Sequence, residues 1–311
     1  DEVTPEMLRA TPGEGTGVIS ACHHIPTGEV WTRTEISKIQ SRLAEADLPL
    51  IAIESVPLHI DIKLGHSTRD QYIENYCKTI RNLGLMGVRT VVYNCMAFDW
   101  LRTNLEDKLA CGSSVTSYSQ RDFAKIDLKT GLPGWQDSFT PEELQKTIEE
   151  YRDLGEDGLR NNLIYALERI VPAAEAAGVR LAIHPDDPCH SPTGVPQISK
   201  NTDDLLAIAN AVDSPSNGIC MCYGALATNP ENDLIRMTEK LAHRINYVHL
   251  RNIIRLVSES GEISFKECHH PSRRGSVDIP RIVKTLLRCG YRGYWRPDHA
   301  PATRVDLGLA S

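Results

Sequence analysis

Short apolar runs rich in β-branched residues recur along the 311-residue chain, each followed by a longer stretch with helical spacing. The runs are Gly17–Ala21, Leu50–Ser55, Val88–Asn94, Val179–His184, Gly218–Cys222, Ile245–Leu250 and Tyr291–Pro297. Between them, sets such as Tyr72, Ile73, Tyr76, Cys77, Ile80 and Leu83 place apolar side chains on one helical face. Three helices are predicted to stop at a glycine just before the next strand, at Gly87-Val88, Gly178-Val179 and Gly290-Tyr291. Thr140-Pro-Glu-Glu143 has the layout of a capping box with proline at the first helical position.

Alternation of strand and helix over the whole length predicts a parallel sheet with helical crossovers. The length admits one large barrel or two medium domains. The expectation is an α/β fold, a (β/α)8 TIM-type barrel forming a single domain over 1–311, with seven of its eight strands visible. The stretch from about 106 to 139 breaks the rhythm, being rich in Ser, Gly, Asp and Lys. It reads either as a loop insertion on the face where loops carry function or as a disordered excursion.

Composition narrows the function classes. Apolar residues make up 41% and charged residues 24% of the chain, which suits a globular protein with a sizeable core. A net charge of −7 without any basic run argues against a nucleic-acid surface. No apolar stretch is long enough for a bilayer, and the acidic start at Asp1-Glu2 lacks a signal-peptide layout. Nine scattered cysteines, an odd number, make a poor disulfide framework. They read as reduced thiols, which places the protein in the cytoplasm.

The chemistry collects at the carboxyl ends of the strands: His23-His24, Glu54, Tyr93-Asn94, His184, Cys222, His249 and Asp298-His299. In (β/α)8 barrels the active site is assembled on that face. A single histidine there is often only a satisfied core residue, but a set of seven points to a site. Four positions are ligand types: His184, Cys222, His249 and Asp298. Their mixed N, S and O atoms suit Mn, Fe, Co or Zn better than Mg or Ca. Cys220 competes with Cys222, but Cys222 lies nearer the carboxyl end on the same face. Within His184-Pro-Asp-Asp-Pro188, turn-building alone would explain Asp187. His269-His270 could reach over the site or be surface residues. Neither a dinucleotide or phosphate loop nor a hydrolase nucleophile motif is present.

Several long stretches resemble the mannonate dehydratase family: Thr16 to Trp31, Ile53 to Lys63, Ile183-His-Pro-Asp-Asp-Pro188, His249-Leu-Arg251 and Arg296-Pro-Asp-His299. The resemblance runs in order from near residue 1 to His299. It implies a xylose-isomerase-like barrel that uses Mn2+, or Fe2+ or another divalent transition metal. The implied reaction is loss of water from D-mannonate to give 2-keto-3-deoxy-D-gluconate in hexuronate breakdown. The family's metal ligands fall on His184, Cys222, His249 and Asp298. A cation there would stabilise the charge that builds when a proton leaves next to a carboxylate.

His299 is then the expected proton shuttle. His23, His24, Glu54, Asn94, Arg251 and His270 are expected around the sugar acid. A homodimer is a family expectation. The pattern departs at Phe265-Lys-Glu267, where the family has Phe-His-Glu, at Tyr93-Asn-Cys-Met-Ala97, and at Ala300 in place of Gly. The family also has a strand upstream of residue 1, which would supply the eighth, and a tail tyrosine beyond His299. The competing expectations are a metal-dependent sugar isomerase or epimerase on the same barrel, and a metal-binding barrel with little turnover.

Overall fold

The structure, a computed structural model, describes residues 16–127, 140–191 and 194–302. Its strands are β1 (Val18–Ser20), β2 (Leu50–Glu54), β3 (Thr90–Tyr93), β4 (Asn104–Lys108), β5 (Ser114–Ser119), β6 (Arg180–Ile183), β7 (Asn217–Cys222), β8 (Ile245–His249), β9 (Ile253–Val257), β10 (Ile263–Glu267) and β11 (Trp295–Arg296). Seven follow one another in the order β1-β2-β3-β6-β7-β8-β11, each within one of the predicted runs or overlapping it. The other four form an antiparallel sheet, β4-β5-β10-β9.

The described residues divide into two compact units. One lies within Asp1–Cys95, Arg160–His184 and Ile208–Ile219, the other within Met96–Leu159, Pro185–Ala207 and Cys220–Ser311. In the first, β1, β2, β3, β6 and the start of β7 pair in parallel. Ile53, Val91, Val92, Leu181, Ala182 and Ile183 are buried, as expected of parallel strands covered on both faces. The register pairs Glu54 with Val92 and Tyr93 with Ile183, so the carboxyl ends of β2, β3 and β6 lie side by side.

Local signals set the helix ends. In the helix Arg69–Leu85, Ile73, Tyr76, Cys77, Ile80 and Leu83 are buried, the face read from their spacing. The hydroxyl of Thr32 caps the helix Arg33–Ala44 by accepting from Glu35 N. The amide of Val88 donates to Leu83 O at 3.0 Å, that of Val179 to Ala174 O at 2.8 Å and that of Tyr291 to Leu286 O at 3.0 Å. Each bond spans a left-handed glycine, with φ of 82° at Gly87, 65° at Gly178 and 83° at Gly290. These are the predicted stops, and each turns a helix directly into a strand or the approach to one.

In the second unit β8 pairs in parallel with β11, His249 opposite Arg296. The Thr140 capping box forms there as read, with Glu143 N donating to the threonine hydroxyl and Thr140 N to the Glu143 carboxylate. The stretch read as an insertion without periodicity differs from that expectation. Its first part holds β4, β5 and a short helix, Gln120–Phe123, while 128–139 lie outside the described residues. β5 finds its partner in β10, where Phe265 pairs with Tyr118, far away in sequence. β4 and β5 also pair with each other across a short turn, but their mostly polar residues form no apolar run.

Replacing Gly87 by alanine tests the helix stops. An added Cβ meets nothing within 4 Å, so only the left-handed backbone resists it. The cost should be about 1–2 kcal/mol, read as a lower urea midpoint at unchanged slope. An unchanged midpoint would show that the left-handed turn is not needed.

Candidate active site

Three ligand-type side chains converge in the second unit. Cys222 ends β7 and His249 ends β8, both fully buried. Asp298 follows β11 by two residues. Its carboxylate Oδ2 lies 3.9 Å from Cys222 Sγ and 3.5 Å from His249 Nδ1. Asp298 holds a left-handed backbone, φ 64°, which aspartate tolerates better than most residues. The Nε2 of His270 is 2.7 Å from Pro297 O and ties down the same turn. Burial would raise the Asp298 carboxyl, but the charges of His249, His299, Arg251 and Arg296 outweigh it and hold it far below the carboxylate range.

Behind these residues lies a buried quartet of two arginines and two carboxylates. Arg102 donates to both oxygens of Asp187, at 3.2 and 3.1 Å, and to Glu267 Oε1 at 3.0 Å. Arg251 reaches Glu267 Oε2 with Nε at 2.9 Å and Asp187 Oδ2 with Nη1 at 2.6 Å. All four side chains are 2% exposed or less. Burial opposes both negative charges, yet the two guanidinium groups prevail. Asp187 falls well below the usual carboxylate range, and Glu267 falls to about 2.

His299 joins the quartet to the ligand cluster. Its Nδ1 lies 3.2 Å from Glu267 Oε1 and its Nε2 3.8 Å from Asp298 Oδ1. The ring meets Trp100 edge-on at 5.6 Å and is 32% exposed.

The remaining sequence-derived residues divide between the units. Glu54, Asn94 and His184 are half-buried at the adjacent ends of β2, β3 and β6 in the first unit, and the His184 amide donates to Tyr93 O at 2.7 Å. His23 is exposed. His24, expected around the sugar acid, contacts Glu35 with Nε2 at 2.9 Å and is also exposed. Arg251, expected to hold the substrate carboxylate, is instead engaged by Asp187 and Glu267 below the surface. Lys266, the departure from the family pattern, contacts Asp107 at 3.2 Å on the antiparallel sheet.

Sequence reasoning missed Arg102, Glu267 and Trp100 and undervalued Asp187. Alternation along β10 puts Glu267 on the same face as buried Phe265, a usable signal. Nothing local marks Arg102.

Parallel strands with helical crossovers, and ligand-type side chains at the strand ends, are features of the (β/α)8-barrel enzymes. A xylose isomerase domain protein from Planctomyces limnophilus, 11% identical, has a TM-score of 0.52 over 94% of this chain and 91% of that one, a likeness of fold alone. The profile of the family described as D-mannonate dehydratase (UxuA) matches residues 1–307. A mannonate dehydratase from Thermotoga maritima is 45% identical over 315 residues, 96% of this chain and 86% of that protein. The crystal structure of a mannonate dehydratase from Streptococcus suis serotype 2 has a TM-score of 0.86 at 38% identity, over 96% of this chain and 82% of that one. The chain belongs to the D-mannonate dehydratase family.

The quartet makes a stability prediction. Arg102→Met leaves Asp187 and Glu267 facing one guanidinium, which should destabilise the fold by about 3–5 kcal/mol in urea unfolding. The folded-state carboxyls lie below their unfolded values, so their contribution is present above the unfolded value and lost as pH falls through the folded one. For Glu267 that window runs from 4.5 down to about 2. The wild type should lose stability across it, and the Arg102→Met protein should lose less. Equal slopes would show that the quartet does not hold these carboxylates ionised.

Proposed function

We propose that this chain removes water from D-mannonate to give 2-keto-3-deoxy-D-gluconate, in hexuronate breakdown. Family membership supports the reaction. The observation that carries the site is the approach of Cys222 Sγ and His249 Nδ1 to one Asp298 oxygen beside a partly exposed His299.

A thiol, an imidazole and a carboxylate buried together form a donor set that fits a divalent transition ion better than Mg2+ or Ca2+. We assign Cys222, His249 and Asp298 as ligands, with His184 as the fourth, as the family resemblance implies. A bound Mn2+, or Fe2+ or a similar ion, would act as a Lewis acid towards the charge that develops next to the substrate carboxylate. His299 moves the proton. Glu54 and Asn94, on neighbouring strand ends, and His23, His24 and His270, on the loops after β1 and β10, are assigned to the sugar-acid carboxylate and hydroxyls. Arg251 acts from behind, holding Glu267 and Asp187.

Free thiols at all nine cysteines support a reducing, cytoplasmic setting. No helix among the described residues is long and apolar enough to cross a membrane. The family resemblance supports a homodimer.

Purified protein given Mn2+ and D-mannonate should form a 2-keto-3-deoxy acid, and aldoses such as xylose should remain unchanged. Aldose–ketose isomerisation faster than mannonate dehydration would overturn the reading in favour of an isomerase. Elemental analysis checks the ligands: Cys222→Ser should lose most of the bound metal, and Cys220→Ser should retain it. Equal metal in the wild type and the Cys222→Ser protein would refute the assignment.

A further inference from the structure

An imidazole can exchange a proton with substrate only at a nitrogen that its other contacts leave available. The two neighbours of His299 Nδ1 make opposite demands. Trp100 Nε1, at 3.3 Å, can only donate, and Glu267 Oε1, at 3.2 Å, can only accept while ionised. The carboxylate is fully buried, and Oε1 also receives Arg102 Nη2 at 3.0 Å and Arg251 Nη2 at 2.8 Å. Arg251 Nε holds the second oxygen at 2.9 Å. Glu267 is therefore fixed in place and ionised. A bare Nδ1 would set its lone pair against that anion at hydrogen-bond distance. A protonated Nδ1 makes a charge-assisted bond instead, stronger than the neutral bond an indole offers.

We propose that Glu267 is the positioning residue that keeps the proton of His299 on Nδ1, leaving Nε2 as the atom that exchanges a proton with substrate. The proposal rests on the role given to His299 above. Nε2 is suited to it, because among the described residues Asp298 Oδ1 faces it only at 3.8 Å, beyond a hydrogen bond. The ring is 32% exposed where Glu267 is 1% exposed, so substrate can meet the histidine but not the glutamate. In either direction one proton crosses between Nε2 and the substrate while Nδ1 keeps its own. Glu267 stays ionised throughout and takes no proton. Arg102 and Arg251 extend the same constraint, since they set where both oxygens of Glu267 lie.

The test has two readouts on the full chain. Protein carrying 15N-labelled histidine and loaded with diamagnetic Zn2+ is examined by long-range 1H–15N correlation at about pH 8.5, well above the ordinary histidine range. The His299 signals are identified by their loss in His299→Gln. The expected result is a proton on Nδ1, and a ring protonated on Nε2 alone overturns the proposal. With Mn2+ bound, Glu267→Gln replaces the acceptor by a carboxamide that can donate to Nδ1 and so favour the wrong tautomer. Its kcat for D-mannonate should fall by about 10²-fold or more, with KM within about twofold and the metal content unchanged. A retained kcat overturns the proposal, and so does a loss seen only in KM or in bound metal. Should Glu267→Gln fail to fold, the spectrum of the unaltered chain decides alone. Should the unaltered chain not dehydrate mannonate, the functional reading fails, while the spectrum still reports on the contact of Glu267 with His299.

Discussion

The second unit turns on a neutral quartet of two guanidinium groups and two carboxylates, closed away from water. Desolvating four charges is expensive, and the pairs repay it only because nearly every donor meets an acceptor. The members come from four separate places: Arg102 just ahead of β4, Asp187 in the loop after β6, Arg251 two residues past His249, and Glu267 at the end of β10. Removing any one would leave a buried charge uncompensated. The quartet thus joins the antiparallel sheet to the residues that line the proposed metal centre.

That constraint explains the order of the site. Ligand atoms and an acid–base group must be held before substrate arrives, because reorganisation during reaction would waste the electrostatic stabilisation they offer. Here the backbone that carries His249 continues into Arg251, and the turn that carries Asp298 continues into His299, which Glu267 contacts. The left-handed turn at Asp298 is stabilised on one side by His270 on Pro297 O and on the other by the charges facing its carboxylate. The metal-binding and proton-moving parts of the proposed site therefore share one support.

Much of this was legible in the sequence, for identifiable reasons. β2, β3, β6, β7 and β8 are largely buried apolar runs and could be located from them, while the half-buried β1 and the partly exposed β11 fall within shorter β-rich runs. Ligand types stand out at strand ends because a Cys, two His and an Asp gathered on that face of a barrel are more than a core ordinarily carries there. The antiparallel sheet was hidden because β4, Asn-Leu-Glu-Asp-Lys, is mostly exposed and polar, while β5 pairs with a strand well over a hundred residues later. The quartet was hidden for a related reason. A buried arginine is identifiable only from its partners, and those meet only in the folded chain. Arg251 was accordingly read as a substrate contact and Asp187 as a turn residue.

An anomalous difference map, recorded at the manganese edge on crystals of the full chain grown with Mn2+, bears most directly on the whole account. The account predicts one peak per chain, bounded by Cys222 Sγ, His249, Asp298 and His184, with His299 beside it and outside the coordination sphere. A peak at any other cluster, or one that Cys222 and Asp298 do not bound, would contradict it.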